Sequence, residues 1–282
     1  MKKTLPVEEL ARDSRFWRSR FEDNFNDPRV GAQRMKGTYT RPEKFAPTER
    51  NAPEGARSLM HGIFMGEIQA LEGAGRTCWD FETGNDEMQA PFEFKMAMAR
   101  QCWDEARHVE ISVKLTEWMG TEIGEFSENT FLYEAACNPD PVMRITGVNR
   151  ALEGLAIDVF NTMKAFGETS GDPVMEFCED WMLADEVTHV KFGSDWLRKL
   201  TENNPERRQR ALEFQRVVDK LFSLGGLRSD KDESPVKLAR RFRELAGFTQ
   251  EEIDDIAEVA AEAAEETLAQ AGGRKVAPVT NA

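Results

Sequence analysis

The chain spells one helical phrase twice. "ALEG" at residues 70–73 returns at 151–154, and Asp104-Glu105-x-x-His108-Val109 returns as Asp185-Glu186-x-x-His189-Val190, both at a shift of 81 residues. In each copy a lone Glu stands 33 positions before the Glu-x-x-His, Glu72 before Glu105 and Glu153 before Glu186. Two of the three histidines of a 282-residue chain lie in this frame. Residues three apart on a helix project to one side less than a turn apart, so each Glu-x-x-His can hold one ion. The repeat therefore predicts the same helical hairpin twice, with six ligands converging from four helices: Glu72, Glu105, His108, Glu153, Glu186 and His189.

Helix signals agree. Asn51 with Glu54 forms a capping box, Asp140-Pro141 and Asp172-Pro173 each place an N-cap acid before a first-turn proline, and Pro91 opens a further helix. The spacing predicts helices over 53–81, 91–119, 141–167 and 173–200, with no period-two strand between them. Short links join the first and last pairs, whereas "GTEIGEFSENTFLYEAACNP" separates the second helix from the third. Two hairpins joined by one long crossover make an all-α fold, a ferritin-like four-helix bundle with additional N- and C-terminal helices. The organisation expected is an arm over 1–52, the bundle over 53–204, and a helical extension over 205–282 packing on the bundle. That extension includes a capping box from Thr249 to Glu252 and ends in a frayed tail.

Composition narrows the function. A net charge of −14 argues against nucleic acid as a partner, because that affinity comes from lysine and arginine neutralising phosphates. The imbalance lies in the body: residues 1–50 carry 12 Lys+Arg against 8 Asp+Glu. A mean hydropathy of −0.57, with no apolar run near the roughly 20 residues that span a bilayer, predicts a protein away from membranes. No apolar stretch follows the N-terminal lysines, so the expected compartment is the cytoplasm. Cys78, Cys102, Cys137 and Cys178 lack CxxC spacing and read as reduced core residues.

Four carboxylates inside an apolar bundle repel one another and are poorly hydrated, so without a counter-charge they would bind protons. Two divalent cations balance them, and mixed oxygen and imidazole ligation suits iron, manganese or zinc. Other residues receive lesser roles. Glu67, five residues before Glu72, points about 140° away from it and reads as structural. His61 lines an access path or packs in the core, and Trp79, Trp103 and Trp181 read as packing residues. Arg76 and Arg150 would either neutralise a substrate carboxylate or complete the charge balance around the ligands.

The segments "HGIFMGEIQALE", "DEARH", "PVMRITGVNRALEGLAIDV", "DEVTHVKFGSDW" and "PVKLARRFRELAGF" resemble a bacterial ferritin-like family labelled domain of unknown function 455. The likeness covers about residues 55–250 and leaves the arm before residue 50 and the tail after 255 outside it. More distantly, the doubled DExxH resembles carboxylate-bridged di-iron oxidases and oxygenases. That resemblance implies that Glu105 and Glu186 bridge two metals, with Glu72 and His108 on one and Glu153 and His189 on the other. It also implies that Asp104 and Asp185 accept hydrogen bonds from the ligand histidines. The expected cofactors are two iron ions, with Mn/Fe and Mn/Mn as alternatives, and O2 as cosubstrate. The expected activity is oxidation of a small organic substrate, supported by an electron-donor protein and, in the assembly, a homodimer. Iron storage with ferroxidase activity and a metal-stabilised structural module without turnover are the alternatives.

Overall fold

Two Asp-Pro steps show how the chain starts its helices. Asp140 accepts hydrogen bonds from the backbone N–H groups of Val142 and Met143, and Asp172 does the same for Val174 and Met175. Each satisfies donors that the helix cannot pair, while proline supplies the first-turn φ. The computed structural model describes residues 52–126, 128, 130–223 and 236–270, so the Asn51 cap, the arm and the frayed tail lie outside the described residues. Helix α1 (Glu54–Asp80) and helix α2 (Phe92–Trp118) form the first hairpin. A short α3 (Phe131–Ala136) lies in the crossover, and α4 (Pro141–Ile145) follows it. A π-helical stretch, Thr146–Leu152, then leads into α5 (Glu153–Ser170), which pairs with α6 (Pro173–Leu200). The extension consists of α7 (Pro205–Ser223), α8 (Arg240–Leu245) and α9 (Gln250–Gln270).

The fold is an all-α bundle; among the described residues strand pairing is limited to one isolated bridge, between Thr83 and Ala90. No described helix is long and apolar enough to cross a membrane. The crossover runs alongside α1 for most of its length. Arg57 reaches Glu125 at 2.5 Å, Gln69 accepts from the Tyr133 N–H, Arg76 meets Tyr133 and Cys137, and Arg144 pairs with Asp80 at 2.9 Å. It therefore carries the chain from the Trp118 end of the bundle back to the Asp80 end, which lets the second hairpin repeat the first.

Two apolar layers bracket the middle of the bundle. Phe81, Phe94, Met98, Ile145 and Trp196 close one end, with Phe94 and Trp196 edge to face at 5.4 Å. Met60, Leu115, Phe160, Met163 and Met182 fill the other side. Trp79 and Trp103, expected to pack, are instead 66% and 63% exposed on the outer faces of α1 and α2.

The extension is pinned to the bundle by two buried arginines. Arg243 of α8 is fully buried and makes a fork-to-fork pair with Asp158 of α5, at 3.1 and 2.7 Å. Asp158 also accepts from the Ala239 N–H. Gly154 makes room for this: a Cβ there would stand 2.9 Å from the guanidinium. Arg150 of the π-helical stretch donates to Ser194, Gln215 and Glu252, and stacks over Phe248 at 4.2 Å. The Thr249 cap of α9 closes as the sequence indicates, each of Thr249 and Glu252 accepting from the other's backbone N–H.

Breaking a buried ion pair leaves a charge without compensation, at a cost of about 3–5 kcal/mol. Asp158→Ala should lose stability of that order in chemical denaturation. The double replacement Asp158→Leu with Arg243→Met should lose far less.

Candidate metal centre

Between the two apolar layers lies a fully buried polar cluster. Glu67, Glu105, His108 and Glu186 form one group and Glu105, Glu153, Glu186 and His189 a second, with the candidate ligand atoms within 4.8 Å of one another in each. Glu105 and Glu186 belong to both groups. The structure thus brings together five of the six residues singled out by the repeat, and replaces the sixth.

That correction concerns Glu72. It is half-buried on the side of α1 turned toward the crossover, close enough to Tyr133 for its charge to add to burial in raising the Tyr133 hydroxyl's pKa. Glu67 is buried instead and reaches His108 Nδ1 at 2.9 Å. Hairpin geometry gives the reason. Glu67 stands 13 residues before the end of α1 at Asp80, and Glu105 stands 13 after the start of α2 at Phe92, so an antiparallel pair brings them level. The connection from Phe81 to Pro91 is long, whereas α5 and α6 are joined by Gly171 and Asp172 alone. The spacing of 33 that holds for Glu153 and Glu186 is 38 in the first hairpin, because the link is nine residues longer while α1 runs four residues fewer beyond its Glu than α5 does. Helical phase carried the missing signal: Glu67 lies in the stripe of Met60, Ile63, Phe64, Ala70 and Ala74, all buried.

Both imidazoles present Nδ1 to the centre and Nε2 to its edge. His108 Nδ1 lies 2.9 Å from Glu67, 3.2 Å from Glu105 and 3.2 Å from Glu186; His189 Nδ1 lies 3.1 Å from Glu105, 3.4 Å from Glu153 and 3.4 Å from Glu186. A metal at about 2.1 Å from N and O ligands has polyhedron edges of about 3.0 Å if octahedral and about 3.4 Å if tetrahedral. The donor separations match those edges. Glu105 Oε2, Glu153 Oε2, both oxygens of Glu186 and His189 Nδ1 are buried without a hydrogen bond, which suits atoms reserved for a cation.

The outer contacts cross between hairpins. His108 Nε2 meets Asp185 and His189 Nε2 meets Asp104, each at 3.3 Å. Arg100 donates to Asp104 at 2.7 Å, and Arg107 bridges Asp104 and Asp185 while stacking over Trp181. Burial opposes ionisation of Asp104, but His189 and these arginines outweigh it and hold its carboxyl below the usual range. Gln101 is a member that the repeat does not reveal. Its amide donates to Glu105 and Glu153 at 3.1 and 2.9 Å, and its oxygen accepts from Asn149 at 2.7 Å. The π-helical stretch aims Asn149 inward and Arg150 outward, a re-phasing that regular helix periodicity does not predict.

Arg76 and Arg150 are not at the centre. Arg76 pairs with Asp80 and Tyr133, and Arg150 is committed to the extension. His61 packs edge-on to Phe64 and Phe126 and accepts from the Gly124 N–H, with burial lowering its pKa to about 4.

Without a cation the cluster balances its charge with protons. Burial and the charge of Glu105 raise Glu67 well above the usual range, and burial with Glu105 and Glu186 does the same to Glu153. Burial works against ionising Glu105 too, yet the histidines overcome it and hold Glu105 low; Glu186 is also lowered, against burial and Glu105, by His189 and His108. Both histidines are raised, because the surrounding carboxylates outweigh burial. Two neutral acids and two charged imidazoles hold four protons, the charge that two divalent ions would bring.

The fold and the site define a class: a helical bundle whose core carries two overlapping Glu/His groups able to hold metal ions. The chain belongs to the family described as "Protein of unknown function (DUF455)", which matches residues 1–254. The match takes in the N-terminal arm, which the resemblance read from the motifs left out. No curated protein and no solved structure matches the chain.

Loading two divalent ions should release about four protons per chain, read with an indicator dye in weak buffer, and metal affinity should fall as pH falls. Glu67→Ala should lower the bound metal, measured by elemental analysis, by about half or more, whereas Glu72→Ala should retain two ions per chain. A second pH effect comes from Glu179 of α6, fully buried with neither oxygen hydrogen-bonded among the described residues. Burial raises its pKa well above 4.5, so the folded chain keeps a proton that the unfolded chain loses. The group therefore costs stability progressively as pH rises above about 4.5. Glu179→Met should raise the Tm of the metal-free protein, and by more at pH 7 than at pH 5.

Proposed function

We propose that this protein is a non-haem di-metal oxidase or oxygenase, with two iron ions, or manganese in one or both places, activating O2 to oxidise a small organic molecule. The observation that carries the reading is the pair of Glu/His groups sharing Glu105 and Glu186 beside an apolar cavity whose wall includes Glu67, Glu153 and Glu186. Two bound ferrous ions would supply two electrons to O2 and a Lewis-acidic place for it to bind.

The chain's own groups would do the rest. Nδ1 of His108 and of His189 would each bind one ion, with Glu67 on the first, Glu153 on the second, and Glu105 and Glu186 between them. Asp185, paired with Arg107, and Asp104, held ionised by His189, Arg100 and Arg107, would fix each ring through its Nε2–H and raise its basicity as a ligand. Gln101 would hold one oxygen of Glu153 and leave the other for metal. The apolar layers would keep water from the reacting atoms. An electron-donor protein would restore the ferrous state between turnovers.

Anaerobic reconstitution with ferrous iron, followed by O2, tests this. The expected result is oxidation of about two ferrous ions per chain with no further uptake, and recovery of activity when a reductant is supplied. Accumulation of many ferric ions per chain would favour storage. Bound iron that consumes no O2 would overturn the oxidase reading.

A further inference from the structure

The cavity beside the metal centre has a composition of its own. It holds about 190 Å³ and runs between α1 and α5, capped by Leu132 of the crossover and Phe222 of α7. Its α1 wall includes the stripe Gly62, Gly66 and Ala70, one helical turn apart, with Gly62 exposed. A Cβ built on Gly62 or Gly66 would meet nothing within 4 Å. The other glycines packed inside the bundle differ: a Cβ on Gly73 would stand 2.8 Å from Ala136, and one on Gly193 would stand 2.7 Å from Asn149. Glycine within a helix costs about 1 kcal/mol relative to alanine. At Gly66 no close-packed neighbour requires that cost, and what the missing side chain leaves is open space leading to Glu67.

Charge defines what the space can accept. Among the described lining residues the charged side chains are Glu67, Glu128, Glu153 and Glu186, and no lysine, arginine or histidine joins them. Gln69 is already committed, donating to the Met65 carbonyl and accepting from the Tyr133 N–H. In the metal-free chain a carboxylate or phosphate entering here would find no cationic side chain on the wall, so no lining residue repays its desolvation. The remaining wall, including Leu155, Ala156, Val159 and Phe160, is apolar. A dry apolar cavity of about 150 Å³ holds one benzene ring, so this one has room for a single ring or a short aliphatic chain.

We propose that this cavity binds an uncharged apolar molecule of about one aromatic ring, and that Gly66 and Ala156 set the size admitted. Calling that molecule the substrate rests on the oxidase reading above; its binding does not. Neither Arg76 nor Arg150 lines this cavity.

Fluorine NMR titration of the full chain, metal-free and loaded with Zn(II), tests the assignment with fluorobenzene, 4-fluorobenzoate and 4-fluorobenzylammonium. Fluorobenzene should bind saturably at one site, at least tenfold more tightly than 4-fluorobenzoate in the metal-free chain and at least tenfold more tightly than 4-fluorobenzylammonium in the Zn(II)-loaded chain, whose ions take up the charge of the lining acids. Gly66→Leu should abolish that binding while helical content by circular dichroism and two zinc ions per chain are retained. Ala156→Leu supplies the same occlusion from the opposite wall should the first variant fold poorly. Equal affinity of the metal-free chain for the benzoate, tighter binding of the ammonium by the Zn(II)-loaded chain, or fluorobenzene binding unchanged in a folded filled variant would overturn the proposal. A chain that binds fluorobenzene but takes up no metal would sink the oxidase reading alone. Two metals per chain with no fluorobenzene binding would sink the cavity assignment alone.

Discussion

Charge neutrality in a dry interior is the constraint on which the rest of this structure depends. Glu67, Glu105, Glu153 and Glu186 converge where both neighbouring layers are hydrocarbon, and such a group of anions is tolerable only with protons or cations among them. The surrounding architecture answers that demand in rings. Two imidazoles stand within the cluster, two aspartates hold the imidazoles, and Arg100 and Arg107 hold the aspartates at the surface. Acidic and basic side chains thus alternate from the centre outward, and exposure rises with them: the cluster and Asp104 are buried, Asp185 is partly exposed, and Arg100 and Arg107 reach the solvent.

Much of this was legible in the sequence, because the chain states it twice. The Glu-x-x-His frame fixed Glu105, His108, Glu186 and His189 without reference to packing, since residues three apart share a helix side wherever the helix goes. Helix limits were also readable: the expected 91–119 and 173–200 are observed as Phe92–Trp118 and Pro173–Leu200. The misassignment of Glu72 arose from treating the duplication as metrically uniform. Sequence repeats preserve order, but the height at which two antiparallel helices meet depends on the link between them, and the two links differ. Apolar phase along α1 would have selected Glu67.

Gln101, Asn149 and Glu179 were not legible for a different reason. Each is a polar residue whose significance comes from a partner far along the chain or, for Glu179, from having no hydrogen bond among the described residues, and no local pattern encodes that. The π-helical stretch compounds the difficulty. It changes the angular advance per residue just before Glu153, so Asn149 and Arg150 face directions that a uniform 100° step does not give. Arg150 consequently looks like a neighbour of the site in sequence and serves as a fastener for the extension in space.

The crossed links between histidine and aspartate carry one more consequence. His108 is steadied by Asp185 and His189 by Asp104, and each metal group draws on both hairpins. Neither half of the duplication owns a complete coordination sphere or a complete set of supports for it. Binding of cations and joining of the two halves would therefore be one coupled process: an occupied centre would act as a rivet across the seam, and its occupancy would set how tightly the duplicated halves stay joined.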